Sequence, residues 1–230
     1  MNLAIIGYGK MGRLLEQFAP EYGFDVKLRL DVENNSNFES LTRENFCGID
    51  VAAEFTMPSI APKNIERLAE LGVNVVTGTT AWYTEMEHVR SRVADKIGVV
   101  WSPNYSVGVT IFSQIVSEAA RLLASEAEYG AWAWEIHHVA KKDAPSGTLL
   151  SLVEKMKQAG YARPIDTGSS RAGAHPGTHE IGFDSLADTI TLRHTSRGRD
   201  GFARGALRAA RWVIGKKGFY DFREIFNQLE

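Results

Sequence analysis

The sequence predicts two joined architectures. Its first part reads as α/β with a doubly wound parallel sheet, and its second as α+β with a mostly antiparallel or mixed sheet. Three observations predict this. Short apolar runs alternate with helical stretches over residues 1–106. A glycine-rich turn links the first apolar run to the first helical stretch. Beyond residue 107 the apolar pattern shifts toward the two-residue period of half-buried strands.

The elements follow in order. Residues 3–6 are continuously apolar, a strand. An amphipathic stretch from 11 to about 19 predicts a helix that Pro20 stops. Residues 26–30 form a second strand ending at Asp31, and the polar, Asn-rich residues 31–46 predict a surface excursion. Residues 49–55 are a third strand, 59–71 a helix closed by Gly72, and 73–76 a fourth strand. A helix over 83–96 and a strand over 97–101 complete this half. Next comes a helix from 107 to about 123, marked by Val107, Ile111, Ile115 and Leu122. Residues 131–138 alternate, with Trp132, Trp134, Ile136 and His138 on one face and Ala133, Glu135 and His137 on the other. A helix over 147–158 follows Ala144-Pro145-Ser146, and the Gly-, Ser-, Arg- and Pro-rich residues 166–177 predict a long loop. Strands over 179–185 and 189–195, a helix over 202–213 and a short helix over 219–229 end the chain.

Composition narrows the function. With 44% hydrophobic and 23% charged residues, the 230-residue chain is globular rather than disordered. A net charge of -2 leaves no basic excess for nucleic acid. Cys47 is the only cysteine, which excludes an internal disulfide and suits a reducing, cytoplasmic setting. No apolar run approaches the roughly 20 residues of a membrane helix, and the N-terminus lacks a signal-peptide pattern.

Two segments carry chemistry. The run Gly7-Tyr8-Gly9-Lys10-Met11-Gly12 fits G-x-G-x-x-G between a strand and a helix. Its glycines permit a tight turn, close approach of a pyrophosphate and close helix–strand packing, while the helix N-terminus offers amides to phosphate. A purely structural glycine turn would look the same in isolation. Asp31 adds weight, because it lies about 20 positions on, where a carboxylate can hold ribose hydroxyls. With Val32 beside it, Asp31 favours NADH over NADPH, although Arg13, Lys27 or Arg29 could reach a phosphate.

The second segment, Glu135-Ile136-His137-His138-Val139-Ala140-Lys141-Lys142-Asp143-Ala144-Pro145-Ser146-Gly147-Thr148, joins a strand to a helix. Histidine is the natural proton donor near neutral pH, lysine anchors anions, and a Ser-Gly-Thr helix start offers amides and hydroxyls to a carboxylate. Glu135, facing the same way as His137, can orient or charge that ring. The bland alternative is a polar strand end before a capped helix. Two histidines could also hold metal, but no third ligand stands at characteristic spacing, so no metal site is expected. Arg171 and Arg199 are candidates for meeting substrate or cofactor anions. Trp132 and Trp134 read as core or interface residues, His194 as a satisfied structural histidine, His88 as exposed and inert, and Cys47 as an incidental thiol.

These residues resemble the 4-hydroxy-tetrahydrodipicolinate reductase (dihydrodipicolinate reductase) family. The most specific match is E-x-H-H-x-x-K-x-D-A-P-S-G-T over residues 135–148. The blocks Gly78-Thr79-Thr80, Ser102-Pro103-Asn104-Tyr105-Ser106-Val107-Gly108-Val109, Arg171-x-Gly173-x-x-x-Gly177-x-His179 and Phe202-Ala203-x-Gly205-Ala206 match in the family's order. The resemblance covers nearly the whole chain. It implies reduction of a small cyclic dicarboxylate to tetrahydrodipicolinate with NADH or NADPH, in diaminopimelate and lysine biosynthesis. It implies that His137 donates or accepts the proton, that His138 contacts substrate, and that Lys141 serves substrate binding and protonation. Gly147 and Thr148, with Ser146 before them, would hold a substrate carboxylate. Residues 78–80 and 102–105 would line the nicotinamide side of the cofactor site. The implied fold is a Rossmann domain over 1–106, rejoined by 199–230, with a substrate-binding and oligomerisation domain over 107–198 that closes on the cofactor and builds a homotetramer.

Several positions depart from the family's usual pattern. The glycine turn is one residue shorter, Ala140 stands for a usual histidine, Ala81 for glycine, Pro103 for alanine, and Val32 for a basic residue. Two other functions would use the same cofactor turn: a reductase for an amino-acid semialdehyde or a sugar, and a non-catalytic dinucleotide-binding protein. The first has no need of two carboxylate anchors, and the second no need of His137 and Lys141 together.

Overall fold

The computed structural model describes residues 1–229. Contacts divide the chain into two compact units, Met1–Val107 with the segment from Arg199 onward, and Gly108–Gly198.

The first unit holds strands β1 (Asn2–Ile6), β2 (Asp25–Leu30), β3 (Val51–Glu54), β4 (Asn74–Thr77) and β5 (Gly98–Trp101), with helices α1 (Lys10–Phe18), α2 (Ala61–Leu71) and α3 (Met86–Val93). A single 17-residue helix, α4 (Val107–Leu123), leads into the second unit. That unit contains β6 (Gly130–His137), α5 (Gly147–Gln158), β7 (Ile165–Arg171), β8 (Thr178–Asp184) and β9 (Thr189–Thr195). The chain then returns to the first unit with α6 (Asp200–Val213), β10 (Gly218–Asp221) and the single turn α7 (Phe222–Ile225).

All six strands of the first sheet run parallel, in the order β10-β5-β4-β3-β1-β2. The order reverses beside β1, so crossovers place helices on both faces. Leu15 and Phe18 of α1 pack with Ala203, Ala206, Leu207 and Ala210 of α6 in one core layer. Ile65 and Leu68 of α2 pack with Val89 and Val93 of α3 in the other. Strands buried on both faces are mostly apolar, which is why β1, β3 and β5 read as apolar runs, β3 up to the buried Glu54 at its end.

The second unit is a four-stranded sheet in the order β7-β6-β8-β9, with β6–β7 parallel and the other pairs antiparallel. Helices α4 and α5 cover one face, where Phe112, Val116, Leu149, Leu152 and Met156 meet Ala133, Ile181 and Phe183. The expected doubly wound sheet and mixed second sheet are both present, and so is the αL cap at Gly72, with φ 74°.

Four expectations need correction. Residues 166–177 are not one long loop, because β7 runs to Arg171 as an edge strand. Its Asp-Thr-Gly-Ser-Ser core has no apolar alternation to reveal it. The C-terminal segment is not one helix, since β10 pairs with β5 before α7 begins. The polar excursion after β2 is anchored rather than wholly superficial, because Leu41 and Phe46 enter the core beneath α2. On α4, Phe112, Val116 and Ala120 are buried, whereas the stripe used to predict it, Ile111, Ile115 and Leu122, is exposed. The helix is apolar most of the way round, so periodicity located it without fixing its inward face.

Candidate functional site

Each unit presents its own cluster. In the first, the chain leaves β1 through Gly7 at φ +91°, and a Cβ there would sit 2.2 Å from the Phe55 carbonyl oxygen. A Cβ on Gly12 would lie 2.4 Å from the Gly7 carbonyl oxygen, so α1 packs against the turn with no room for a side chain. Gly9 differs, because a Cβ there meets nothing within 4 Å. Its surroundings are open for a ligand rather than filled by protein. Among the described residues no side chain caps the α1 N-terminus, and no carboxylate stands in its first turn. That leaves its amides for an anion.

Gly7, Gly9, Asp31, Val32, Phe38, Phe55, Ile60 and Asn64 wall a cleft of about 450 Å³. Asp31, at the end of β2, accepts from the Val32 N–H at 2.9 Å. Asn64 keeps a buried Oδ1 without a partner among the described residues. Two of the cations that could have offered a phosphate site are paired, and the third stays beside the turn. Lys27 pairs with Asp25 at 2.5 Å, Arg29 pairs with Glu16, and Arg13 lies over the Tyr8 ring. The Tyr8 hydroxyl also bonds Glu16. Lys10 is exposed and Met11 half-buried.

At the carboxyl ends of β4 and β5 a second hollow, about 200 Å³, is lined by Met11, Phe55, Gly78, Ser102–Tyr105 and Arg199. Gly78 is required there, since a Cβ would enter the Phe55 ring at 2.1 Å. Thr79 is buried, accepting from the Thr56 N–H at 2.9 Å, while Thr80 is exposed. Ser102 accepts from the Asn104 N–H at 3.1 Å, and the Asn104 side chain accepts from the Ser106 N–H at 2.8 Å. Pro103 is exposed. The Tyr105 hydroxyl lies 2.8 Å from the Thr77 carbonyl and 2.9 Å from that of Val100, so this side chain braces two strands. Ala81 has φ 64°, a left-handed conformation in which its methyl costs about 1 kcal/mol relative to glycine.

Sequence reasoning did not find Glu54. It is fully buried at the end of β3 and accepts from Thr77 Oγ1 at 2.6 Å and from the Thr56 N–H at 3.2 Å. Its signal, an acidic residue ending an apolar run, was in the sequence.

In the second unit, His137 ends β6 with Nδ1 bonded to the buried carboxylate of Glu135. Burial depresses the His137 pKa, Glu135 opposes the shift, and the charges of Lys141 and Arg171 add to it; the net effect is downward. Burial pushes Glu135 up, but hydrogen bonds from His137, Ser169 and Arg171 outweigh it and hold the carboxyl below its ordinary value. His179, paired opposite Glu135 in the sheet, stands 5.2 Å from His137 between ring centroids. Burial, aided by the charge of His137, takes the His179 pKa to about 4. His179 Nε2 shares a hydrogen bond with the Ser146 hydroxyl, 3.0 Å away. Ser146 in turn accepts from the Leu149 N–H at 3.2 Å and caps α5, leaving Gly147 exposed and Thr148 half-buried at the helix start.

His138 is exposed. Lys141 contacts Asp143 at 2.7 Å. The Lys141 ammonium and the Gly147 amide hold the Asp143 carboxyl below its ordinary value. A cation and a helix N-terminus thus already share one carboxylate. Arg171, a candidate for meeting anions, is engaged by Glu135. A Cβ on Gly177 would lie 2.8 Å from His137 Nε2, so glycine makes room for this ring.

The remaining histidines and tryptophans sort as follows. His194 packs at 5.7 Å from the Phe112 ring, and its buried Nδ1 has no partner among the described residues. Trp132 and Trp134 are half-buried over Gly182 and Gly168 rather than in the core. His88 and Cys47 are exposed. Among the described residues no cluster of His, Cys, Asp and Glu could hold a metal.

Family models for the N- and C-terminal parts of dihydrodipicolinate reductase match residues 1–105 and 108–226. A 4-hydroxy-tetrahydrodipicolinate reductase of Christiangramia forsetii is 30% identical over 245 residues, spanning 100% of this chain and 99% of its own. One from Archaeoglobus fulgidus is 34% identical over 260 residues, spanning 99% and 100%. The solved structure of a dipicolinate-bound dihydrodipicolinate reductase from Paenisporosarcina sp. TG-14 has a TM-score of 0.81 over 98% of this chain and 99% of that one. At 21% identity this last likeness is one of fold.

Proposed function

This chain belongs to the dihydrodipicolinate reductase family, and we propose from that premise how its residues carry out the NAD(P)H-dependent reduction of 4-hydroxy-tetrahydrodipicolinate to tetrahydrodipicolinate. The observation that carries the reading is the cluster ending β6: a histidine oriented by a buried carboxylate, a lysine, and a capped helix start.

The first unit holds the nicotinamide dinucleotide. Gly7, Tyr8, Gly9, Lys10, Met11 and Gly12 form the pyrophosphate turn, and the open space at Gly9 with the uncapped α1 amides fits an anion there. Asp31 receives the ribose. Gly78, Thr79, Thr80, Ser102, Pro103, Asn104 and Tyr105 border the nicotinamide, with Arg199 beside them. When bound, the nicotinamide supplies the hydride. NADH is the preferred form, because a 2′-phosphate would meet the Asp31 carboxylate while Lys27 and Arg29 are already paired.

The second unit holds the dicarboxylate. Lys141 and the amides of Gly147 and Thr148 take one carboxylate, which replaces Asp143 at the lysine, while the buried Ser146 hydroxyl is held by His179 and Leu149 and serves by capping the helix that offers those amides. His138 meets the substrate from its exposed position. His137 delivers the proton from Nε2. Its Nδ1–H points to Glu135, so Nε2 carries a proton only in the imidazolium form. Burial opposes that form in the free protein, and a dianionic substrate favours it. Substrate binding thus moves His137 toward its acid form.

A homotetramer is part of the reading, supported by the half-buried indoles of Trp132 and Trp134 and the exposed Ile190 on the second sheet. Light scattering of the purified protein tests it. The exposed thiol of Cys47 suits a cytoplasmic setting. Among the described residues no helix is long and apolar enough to cross a membrane.

His137→Ala and Lys141→Ala test the assignment. Each is expected to lower kcat/KM by on the order of 10²–10⁴-fold while the NADH Kd stays within about twofold. A folded variant that loses NADH binding instead would overturn the placing of these residues on the substrate side.

A further inference from the structure

We propose that the buried ion pair of Glu135 and Arg171 positions three devices together: the His137 ring, the loop bearing Lys141, and the N-terminus of α5. The proposal rests on His137 being the proton donor and adds two residues that touch neither substrate nor cofactor.

Glu135 is fully buried and the Arg171 side chain is 19% exposed. The parallel pairing of β7 with β6 sets Arg171 opposite His137, which is why this arginine reaches inward. Its Nη1 donates to the two Glu135 oxygens at 2.9 and 3.0 Å and to the Ser170 carbonyl at 2.6 Å. Its Nε donates to the Lys141 carbonyl at 3.3 Å, and Nη2 donates to that of Asp143. The guanidinium therefore ties down both ends of the short stretch that aims Lys141. The Glu135 carboxylate also accepts from His137 Nδ1 and from the Ser146 N–H, at 3.3 Å, one residue before the helix that offers its amides. Proton donor, cation and anion cradle hang on one salt bridge. Displacing it misplaces all three, and small displacements of reacting groups carry large rate costs.

Glu135 has a second effect, on charge. The groups facing the His137 ring are Glu135 on its own strand, Arg171 from β7, His179 from β8 and Lys141 from the following loop. Glu135 is the one anion among them. It fixes the Nδ1–H tautomer and favours the imidazolium. In a glutamine an NH2 donor replaces one of the two oxygens, so it must face either the His137 Nδ1–H or the Ser146 N–H, donor against donor, with the Arg171 guanidinium beside it.

The test uses the full-length protein, with Glu135→Gln, Arg171→Lys and the double variant assayed beside His137→Ala. Glu135→Gln is expected to lower kcat by about a hundredfold or more and to leave the NADH Kd unchanged. Losing the anion removes support for the imidazolium, so the alkaline limb of the kcat profile moves to lower pH. Arg171→Lys keeps the charge but not the fork, and its losses are smaller. The double variant costs little more than Glu135→Gln alone. In the wild type, long-range proton–nitrogen NMR should find the neutral His137 protonated at Nδ1, a result independent of whether any variant folds. A wild-type ring protonated at Nε2, or a Glu135→Gln enzyme with unaltered kcat and pH profile, overturns the proposal. Turnover surviving in His137→Ala would sink the reading of His137 itself. Turnover lost in His137→Ala but unchanged in Glu135→Gln would sink only the positioning pair.

Discussion

Asp31 is the residue on which the proposed preference for NADH turns. Its carboxylate stands at the end of β2 beside exposed Val32, and the nearby cations are paired with Asp25 and Glu16. Replacing it with serine removes the like charge a 2′-phosphate would meet. Asp31→Ser is expected to shift the NADPH-to-NADH ratio of kcat/KM upward by about tenfold or more, chiefly through KM. An unchanged ratio would mean that cofactor choice is made elsewhere. At this scale the motif residues were legible, because each side chain's chemistry is intrinsic. What was not legible is commitment. Nothing in the order of residues says that Arg171 is engaged by Glu135, or that His194 keeps an unpartnered nitrogen. Those facts come from strand pairing, which brings together residues far apart in the chain.

Among the elements, the β1–α1 turn separates Gly7 and Gly12, whose Cβ positions are filled by protein, from Gly9, proposed to face the ligand. Gly7→Ala places a methyl 2.2 Å from the Phe55 carbonyl oxygen at φ +91° and is expected to cost about 2 kcal/mol or more in denaturant unfolding. Gly9→Ala meets no protein atom within 4 Å, so it should fold as the wild type does while its NADH Kd rises about tenfold, read by calorimetry. Equal effects of both on stability would refute this division. Element by element, β1, β3, β4 and β5 were legible because a strand buried on both faces is mostly apolar, with buried polar residues such as Glu54, Asn74 and Thr77 only at strand ends. The edge strands β7 and β10 were not. One is polar and the other runs into α7, so their pairing partners define them more than their composition does. The inward face of α4 was hidden for a related reason, since Ile111 and Ile115 are as apolar as Phe112 and Val116.

Across the whole molecule, burial depresses the pKa of three histidines in the second unit, and this gives the protein an acid liability. The His179 pKa falls from 6.5 to about 4 on burial, so between those values the unfolded chain binds a proton that the folded one refuses. Stability is therefore full above pH 6.5 and declines as the pH falls toward 4, by about 3 kcal/mol for this group alone. The depressed values of His137 and His194 act in the same direction. Denaturant unfolding against pH should show the loss, and His179→Asn should flatten it. A flat wild-type profile through this window would contradict the account. The two-part architecture was legible from the change in apolar period along the chain. The sixth parallel strand after α6 was not, because its partner β5 lies more than a hundred residues earlier.

The central claim is that this chain reduces 4-hydroxy-tetrahydrodipicolinate with a nicotinamide dinucleotide, using His137 as acid. The most direct measurement follows the loss of NADH absorbance, and separately that of NADPH, with substrate freshly generated by a coupled synthase, for the wild type and His137→Ala. The account predicts turnover by the wild type, faster with NADH, and near-complete loss in the variant with its NADH binding intact. A wild-type protein that binds NADH and turns over no substrate, or a His137→Ala enzyme as fast as the wild type, would contradict it.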